Sequence, residues 1–121
     1  MVFTMPESPR ISRLRETLEA HDAVAGAQIA RRKQLAEEAL ADVLGAISHG
    51  FWTFDGWTAH FLGTAVAAAQ EGRYDEARAN VAVALCSLED RDPGHAVPAE
   101  RQRTLEELKR ELAILRTQPA R

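Results

Sequence analysis

The chain has 121 residues, of which 45% are hydrophobic and 27% charged, and a net charge of −3, a size that accommodates one compact core and not two. Its 22 alanines stand against 7 aromatic residues, and 13 of its 15 basic residues are arginine. That mix favours helix and argues against both an all-β sandwich and a disordered chain.

The expected architecture is all-α, a single helical domain over residues 1–121 with four helices, the first of them long. The ends, 1–8 and 117–121, are expected to be flexible. The start, Met1-Val2-Phe3-Thr4-Met5-Pro6-Glu7, has no basic run followed by an apolar stretch, and no window approaches about 18 uninterrupted apolar residues. A cytoplasmic protein without a secretory leader or a membrane span is therefore expected. Cys86 is the single cysteine, which excludes an internal disulfide and a cysteine-based zinc cluster. Its apolar neighbours Val83, Ala84 and Leu85 predict a buried, inert thiol. The excess of alanine and arginine also matches the codon usage of a GC-rich bacterial genome.

From Ile11 to Ile47, the residues Ile11, Leu14, Leu18, Ala25, Ile29, Ala36, Leu40, Val43, Leu44 and Ile47 recur at spacings of three and four, the period of a helix. Ser8 is placed to cap it, and Pro9 is tolerated in the first turn. Unbroken, such a helix runs about 60 Å, longer than a small globule is wide, so it must break or find a partner. The stripe weakens where His21 and Arg32 occupy apolar phases, and Gly26 offers a point for a bend. No proline or turn cluster interrupts it, so one long helix is expected, and with it a homo-oligomer.

Ser48-His49-Gly50 ends this helix, with Gly50 suited to a left-handed position. Phe51-Trp52-Thr53-Phe54-Asp55-Gly56 forms the connection. Asp55 or Thr53 can cap a second helix from about Trp57 to Gln70, whose apolar face is Phe61, Leu62, Ala65, Val66 and Ala69. Gly72 closes it. A third helix follows from about Tyr74 to Leu88, with Asp75 and Glu76 in its positive first turn and Tyr74, Ala77, Val81, Ala84, Leu85 and Leu88 on one face. The run from Asp90 to His95 is a stop, and Pro98 opens the last helix. There Leu105, Leu108, Leu112 and Leu115 form a seam too short for an independent coiled coil, so it docks on the bundle. Glu106 and Arg110 are spaced to pair on its outer side.

The stretch Gln70-Glu71-Gly72-Arg73-Tyr74-Asp75-Glu76-Ala77, with Val81, Ala84 and Leu85, resembles the tetratricopeptide repeat around its inter-helix turn and second helix. In that register Phe61 takes the place of the first-helix aromatic and Ala65 that of its small residue. Thr64 and Ala68 depart from the family pattern, the Leu62-Gly63 pair is out of phase, and Pro93 comes late. The resemblance covers one repeat, about residues 58–91, with no second copy, so the family's concave groove cannot form. It implies an antiparallel helical hairpin and peptide or protein binding, with no binding residue to carry over.

The least ordinary segment is Phe51-Trp52-Thr53-Phe54-Asp55-Gly56-Trp57 with His60-Phe61, where five of the seven aromatic residues fall within eleven positions. Rings of this kind serve cores and interfaces alike. Phe51, Trp52, Phe54 and Trp57 are the candidate partner-binding residues. Trp52 and Phe54, off any helix stripe, are the expected exposed pair, and Phe61 is the expected core residue. A protein or peptide partner is one reading of this corner; a small-ligand pocket lined by Trp52, Trp57 and His60, in a sensor or an enzyme, is the other.

His49, Asp55 and His60 flank the segment without a ligand-type spacing, so no metal site or cofactor is assigned. His21 reads as an edge or interface residue. No glycine-rich phosphate loop, nucleophile elbow or catalytic cysteine context is present, and no catalytic residue is assigned. Glu37, Glu38, Glu106 and Glu107 fall on expected solvated faces. Arg10, Arg13, Arg15 and the run Arg31-Arg32-Lys33 lie among acids in a chain of net negative charge, which argues for solvated faces over nucleic-acid binding.

Overall fold

Ser8 begins the first helix as its position predicts: its hydroxyl accepts the Ile11 amide at 3.3 Å, with Pro9 in the first turn. The structure, a computed structural model, describes residues 8–50, 52–87 and 96–121. Over these residues the chain is all-α, with α1 at Pro9–Ser48, α2 at Gly56–Gln70, α3 at Tyr74–Ser87 and α4 at Ala99–Thr117. Helix α1 is one continuous element of 40 residues that passes through Gly26. The expected stop from Asp90 to His95, and Leu88, lie outside the described residues.

Two left-handed glycines set the turns. Gly50 has φ 75° and its amide bonds to the Ile47 carbonyl at 3.0 Å, ending α1. Gly72 has φ 82°; its amide donates to Ala69 at 3.1 Å and the next amide, of Arg73, to Ala68 at 2.9 Å. That pair of bonds is a Schellman closure, and it allows α3 to start two residues later. The short turn makes α2 and α3 an antiparallel hairpin, and these two helices pack most extensively in the fold.

The hairpin is close because its inward residues are small. Ala65, Ala68 and Ala69 on α2 and Ala77 and Ala84 on α3 are buried, with Leu62, Val66, Tyr74 and Val81 between them. Helix α4 lays Leu105, Leu108, Leu112 and Leu115, all buried, on α1 and α2. At about 1.5–3 kcal/mol for each fully buried leucine, this seam is a major source of stability in so small a core. Helix α1 contributes Ala36, Leu40, Val43, Leu44 and Ile47, which are the second half of its stripe only.

Several expectations are corrected here. Leu85 is 49% exposed and Cys86 is exposed, because α3 turns Tyr74, Ala77, Val81 and Ala84 inward and leaves the following residues outside that phase. Lys33, expected on a solvated face, is buried in phase with Ile29, Ala36 and Leu40 and pairs with the partly buried Glu37. Glu106 accepts from Gln102 at 2.8 Å rather than from Arg110, and the ion pair on that helix joins Arg103 and Glu107 at 3.5 Å. The end of the chain, expected to fray, lies against the hairpin turn: the Arg121 amide donates to the Tyr74 hydroxyl at 3.1 Å, and a Cβ on Gly72 would stand 3.2 Å from that of Arg121.

Asp55 is the cap that starts α2, one residue earlier than expected. Its Oδ1 accepts from the Thr58 amide at 2.8 Å and the Thr58 hydroxyl at 2.9 Å, and Thr58 is fully buried. Replacing Asp55 with alanine removes a cap and a buried acceptor together, and is expected to cost about 1–3 kcal/mol. Asp55→Asn, which keeps an acceptor oxygen, should lose less; the urea midpoints of the two variants check this.

Candidate interaction surfaces

The aromatic corner divides in two. Once Asp55 caps α2, the residues in phase with the core are Thr58, Leu62, Ala65, Val66 and Ala69, all buried. Trp57 and Phe61 stand together four residues apart beside that face. Trp57 is 69% exposed and stacks on Phe61, with ring centroids 6.2 Å apart and planes 23° from parallel. His60, exposed, meets Phe61 edge-on at 5.4 Å. The result is an outward ledge of three rings on α2.

The connection does the reverse of what was expected of it. Phe54, expected outside, is 3% exposed and belongs to the core. Trp52 is half-buried and packs against that core. A residue next to a cap is held by the chain's turn into the helix, and here Phe54, beside the Asp55 cap, lies in the core. Phe61, the expected core residue, is only half-buried, as the lower layer of the ledge. Phe51 lies outside the described residues.

Polar groups around the corner are engaged in helix ends. His49 places Nδ1 2.7 Å from the Gly45 carbonyl at the end of α1, and Asp55 is the α2 cap. The structure therefore does not gather His49, Asp55 and His60 into one acid–base set. Among the described residues no cluster of His, Cys, Asp or Glu could hold a metal ion, and no helix is long and apolar enough to cross a membrane. The principal grooves lie along α1 and beside the α2–α3 turn, and none of them is lined by Trp52, Trp57 or His60.

A second surface, which periodicity alone reads as core, is the first half of α1. Ile11, Leu14 and Leu18 are 51%, 58% and 63% exposed, and Val24 is 56% exposed. Among the described residues, the helix first meets the body near Ile29, which is half-buried against the core, and Arg32, whose guanidinium lies 3.9 Å from Asp75 at the start of α3. Residues 9–28 thus form an arm of about 30 Å. Beside the junction, Arg73 binds the carboxylates of Glu76 and Glu71, which raise its pKa above the ordinary arginine value. Length was the signal for this arm: a stripe that outruns its partners cannot all be covered. No family model, curated protein or solved structure matches the chain.

The two rings of opposite burial make a direct comparison. Phe54→Ala should cost about 3–5 kcal/mol of stability, as a buried phenyl removed from a small core does. Trp57→Ala should change stability by less than about 0.5 kcal/mol, in the same urea titration.

Proposed function

We propose that this chain is a small, non-catalytic, cytoplasmic protein–protein interaction module that self-associates and acts as an adaptor. The observation that carries the reading is the arm: an aliphatic stripe held on a continuous helix, more than half exposed, beyond the reach of the other described helices. Apolar surface arranged in a line on one helix face is the form that helix-in-groove and helix-on-helix recognition take. The ledge of Trp57, Phe61 and His60 is a second contact face, compact and rich in the residue types that anchor interfaces. The resemblance of the α2–α3 hairpin to a tetratricopeptide unit supports the same class, although one hairpin has no groove to offer. The exposed thiol of Cys86 accords with a reducing compartment.

A photo-reactive residue placed in the full chain at position 14, at position 57 or, as a control on a solvated face, at position 106 tests this in the native cell. Covalent capture of protein at 14 and 57 but not at 106 is the expected result. Equal capture at all three positions, or none at any, would overturn the reading.

A further inference from the structure

Resting on that reading, we infer that one flank of the arm takes a helix of another protein, a helix with carboxylates at both ends, about 30 Å apart, and aliphatic residues between them. The flank is a heptad row. Arg10, Thr17, Val24 and Arg31 stand seven residues apart on α1 and so run along one side of it. Leu14, His21 and Gln28 lie beside this row toward the apolar stripe, and Arg13, Ala20 and Ala27 lie beside it on the other side. All ten of these residues are exposed and none is acidic. The glutamates of the arm, Glu16 and Glu19, fall in other rows.

Charge selects the chemistry of the partner, because the cations of this flank sit at its two ends. Arg10 and Arg13 meet no carboxylate among the described residues. Arg31 donates to a neutral group, the Gln34 amide oxygen, at 3.0 Å. At this inner end the Asp75 carboxylate is met by Arg32 at 3.9 Å, so it does not take Arg31. Arg10 and Arg13 stand about 27–32 Å from Arg31 along the axis. Between these ends Leu14 and Val24 are 58% and 56% exposed, and the small residues Thr17, Ala20 and Ala27 let a second helix approach closely. Grooves fall on the flank at both ends, one lined by Arg10, Arg13, Leu14 and Thr17 among others, the other by Val24, Ala27, Gln28 and Arg31 among others. A surface ordered as cation, apolar, cation is matched by one ordered as acid, apolar, acid.

Other occupants fit this order less well. An extended peptide would lay its own main-chain amides and carbonyls on apolar side chains, since the side of a helix has no free backbone groups to pair with them, whereas a helix satisfies its own. Duplex DNA carries one charge per about 1.7 Å of axis, yet no lysine or arginine of these rows falls between Arg13 and Arg31, so phosphates there would rest on Leu14 and Val24. A second copy is excluded from this flank by like charge. Matched to itself, the flank sets Arg10 on Arg10 when the helices run parallel, and Arg10 and Arg13 on Arg31 when they run antiparallel. This assigns the flank to the adaptor role and not to self-association.

Fluorescence anisotropy at low ionic strength, where exposed charges are least screened, tests the pairing with the full chain and labelled synthetic helices of about 24 residues, long enough to span both ends of the flank. All are built of alanine, glutamine and leucine; the first carries two glutamates near each end, the second lysines in their place, and the third all its glutamates at the centre. The first is expected to bind with a Kd below about 100 µM, the third about tenfold more weakly, and the second not measurably. Arg10→Glu, Arg13→Glu and Arg31→Glu combined should reverse the choice, weakening the glutamate-ended helix about tenfold or more and capturing the lysine-ended one. Leu14→Ala with Val24→Ala should weaken the first helix about tenfold and leave its advantage over the second. Gain of the lysine-ended helix, with unchanged helical content by circular dichroism, separates a reversed surface from a failed fold. The pairing is overturned if the glutamate-ended helix does not bind at about 1 mM, if central glutamates serve equally well, if the reversed variant keeps the original preference, or if a DNA duplex of the same length binds the unmodified chain more tightly. If position 14 captures a protein in cells while the glutamate-ended helix does not bind, the acidic partner falls and the interaction module stands.

Discussion

A helix of 40 residues extends about 60 Å, whereas the helices available to cover it have 15, 14 and 19 residues. This mismatch of lengths governs the rest of the structure. Helices of that size cover about half of α1, and the half they cover holds Ala36, Leu40, Val43, Leu44 and Ile47 in the core. The other half keeps the same apolar phase with none of the described helices upon it. A globular domain whose longest element matched its neighbours would spend the whole stripe on its own stability. Here the stripe is divided between folding and surface.

The body that anchors the arm is built with few bulky groups, and its precision comes from the turns. Gly72 and the two bonds of the Schellman closure bring α3 back against α2, and the alanines at 65, 68, 69, 77 and 84 let the two backbones approach. Close approach leaves little volume to fill, so one phenyl ring, Phe54, and the leucine seam of α4 complete the core. Asp55 holds that arrangement at its corner, since the same carboxylate oxygen caps α2 and receives the hydroxyl of the buried Thr58. Of the other described rings of the corner, Trp52 and Phe61 pack half-buried against that core while Trp57 and His60 stand outside it, and Trp57, Phe61 and His60 together form a surface.

The four helices of the described residues, both ends of α1, α2 and α4, the start of α3 and most inward faces were legible in the amino-acid sequence, because period, caps and glycine turns are local properties. Ser8, Asp55, Gly50 and Gly72 act where their chemistry places them, and the four seam leucines are all buried. What periodicity does not carry is the identity of the covering element. Ile11, Leu14 and Leu18 have the same phase as Leu40 and Ile47, and only the lengths of α2, α3 and α4 separate exposed from buried. The aromatic corner misled for a related reason. Trp52 and Phe54 lie off any helix stripe and so read as free, yet a cap is a sharp, directional turn, and it carried Phe54 inward. Trp57 was legible in principle: in a helix whose core phase is Thr58, Leu62, Ala65 and Ala69, the residue before Thr58 stands about 100° away from that face.

Lys33 shows how the two halves of α1 are kept distinct. It sits in the stripe's own phase between Ile29 and Ala36, at the point where the body begins, with its stem buried and its ammonium paired with Glu37. An aliphatic residue there would join the arm's stripe to the core's without a break, and helices packed on a uniform seam can slide by a heptad at little cost. Lys33 and Glu37, one turn apart on the same helix, instead interrupt the stripe with a largely buried ion pair where the body begins. On the far side of the same junction Arg32 reaches Asp75 and Arg73 is held by Glu71 and Glu76, so the outer surface also changes from apolar to ionic at this level. The polar collar therefore marks where the described helices cease to cover α1.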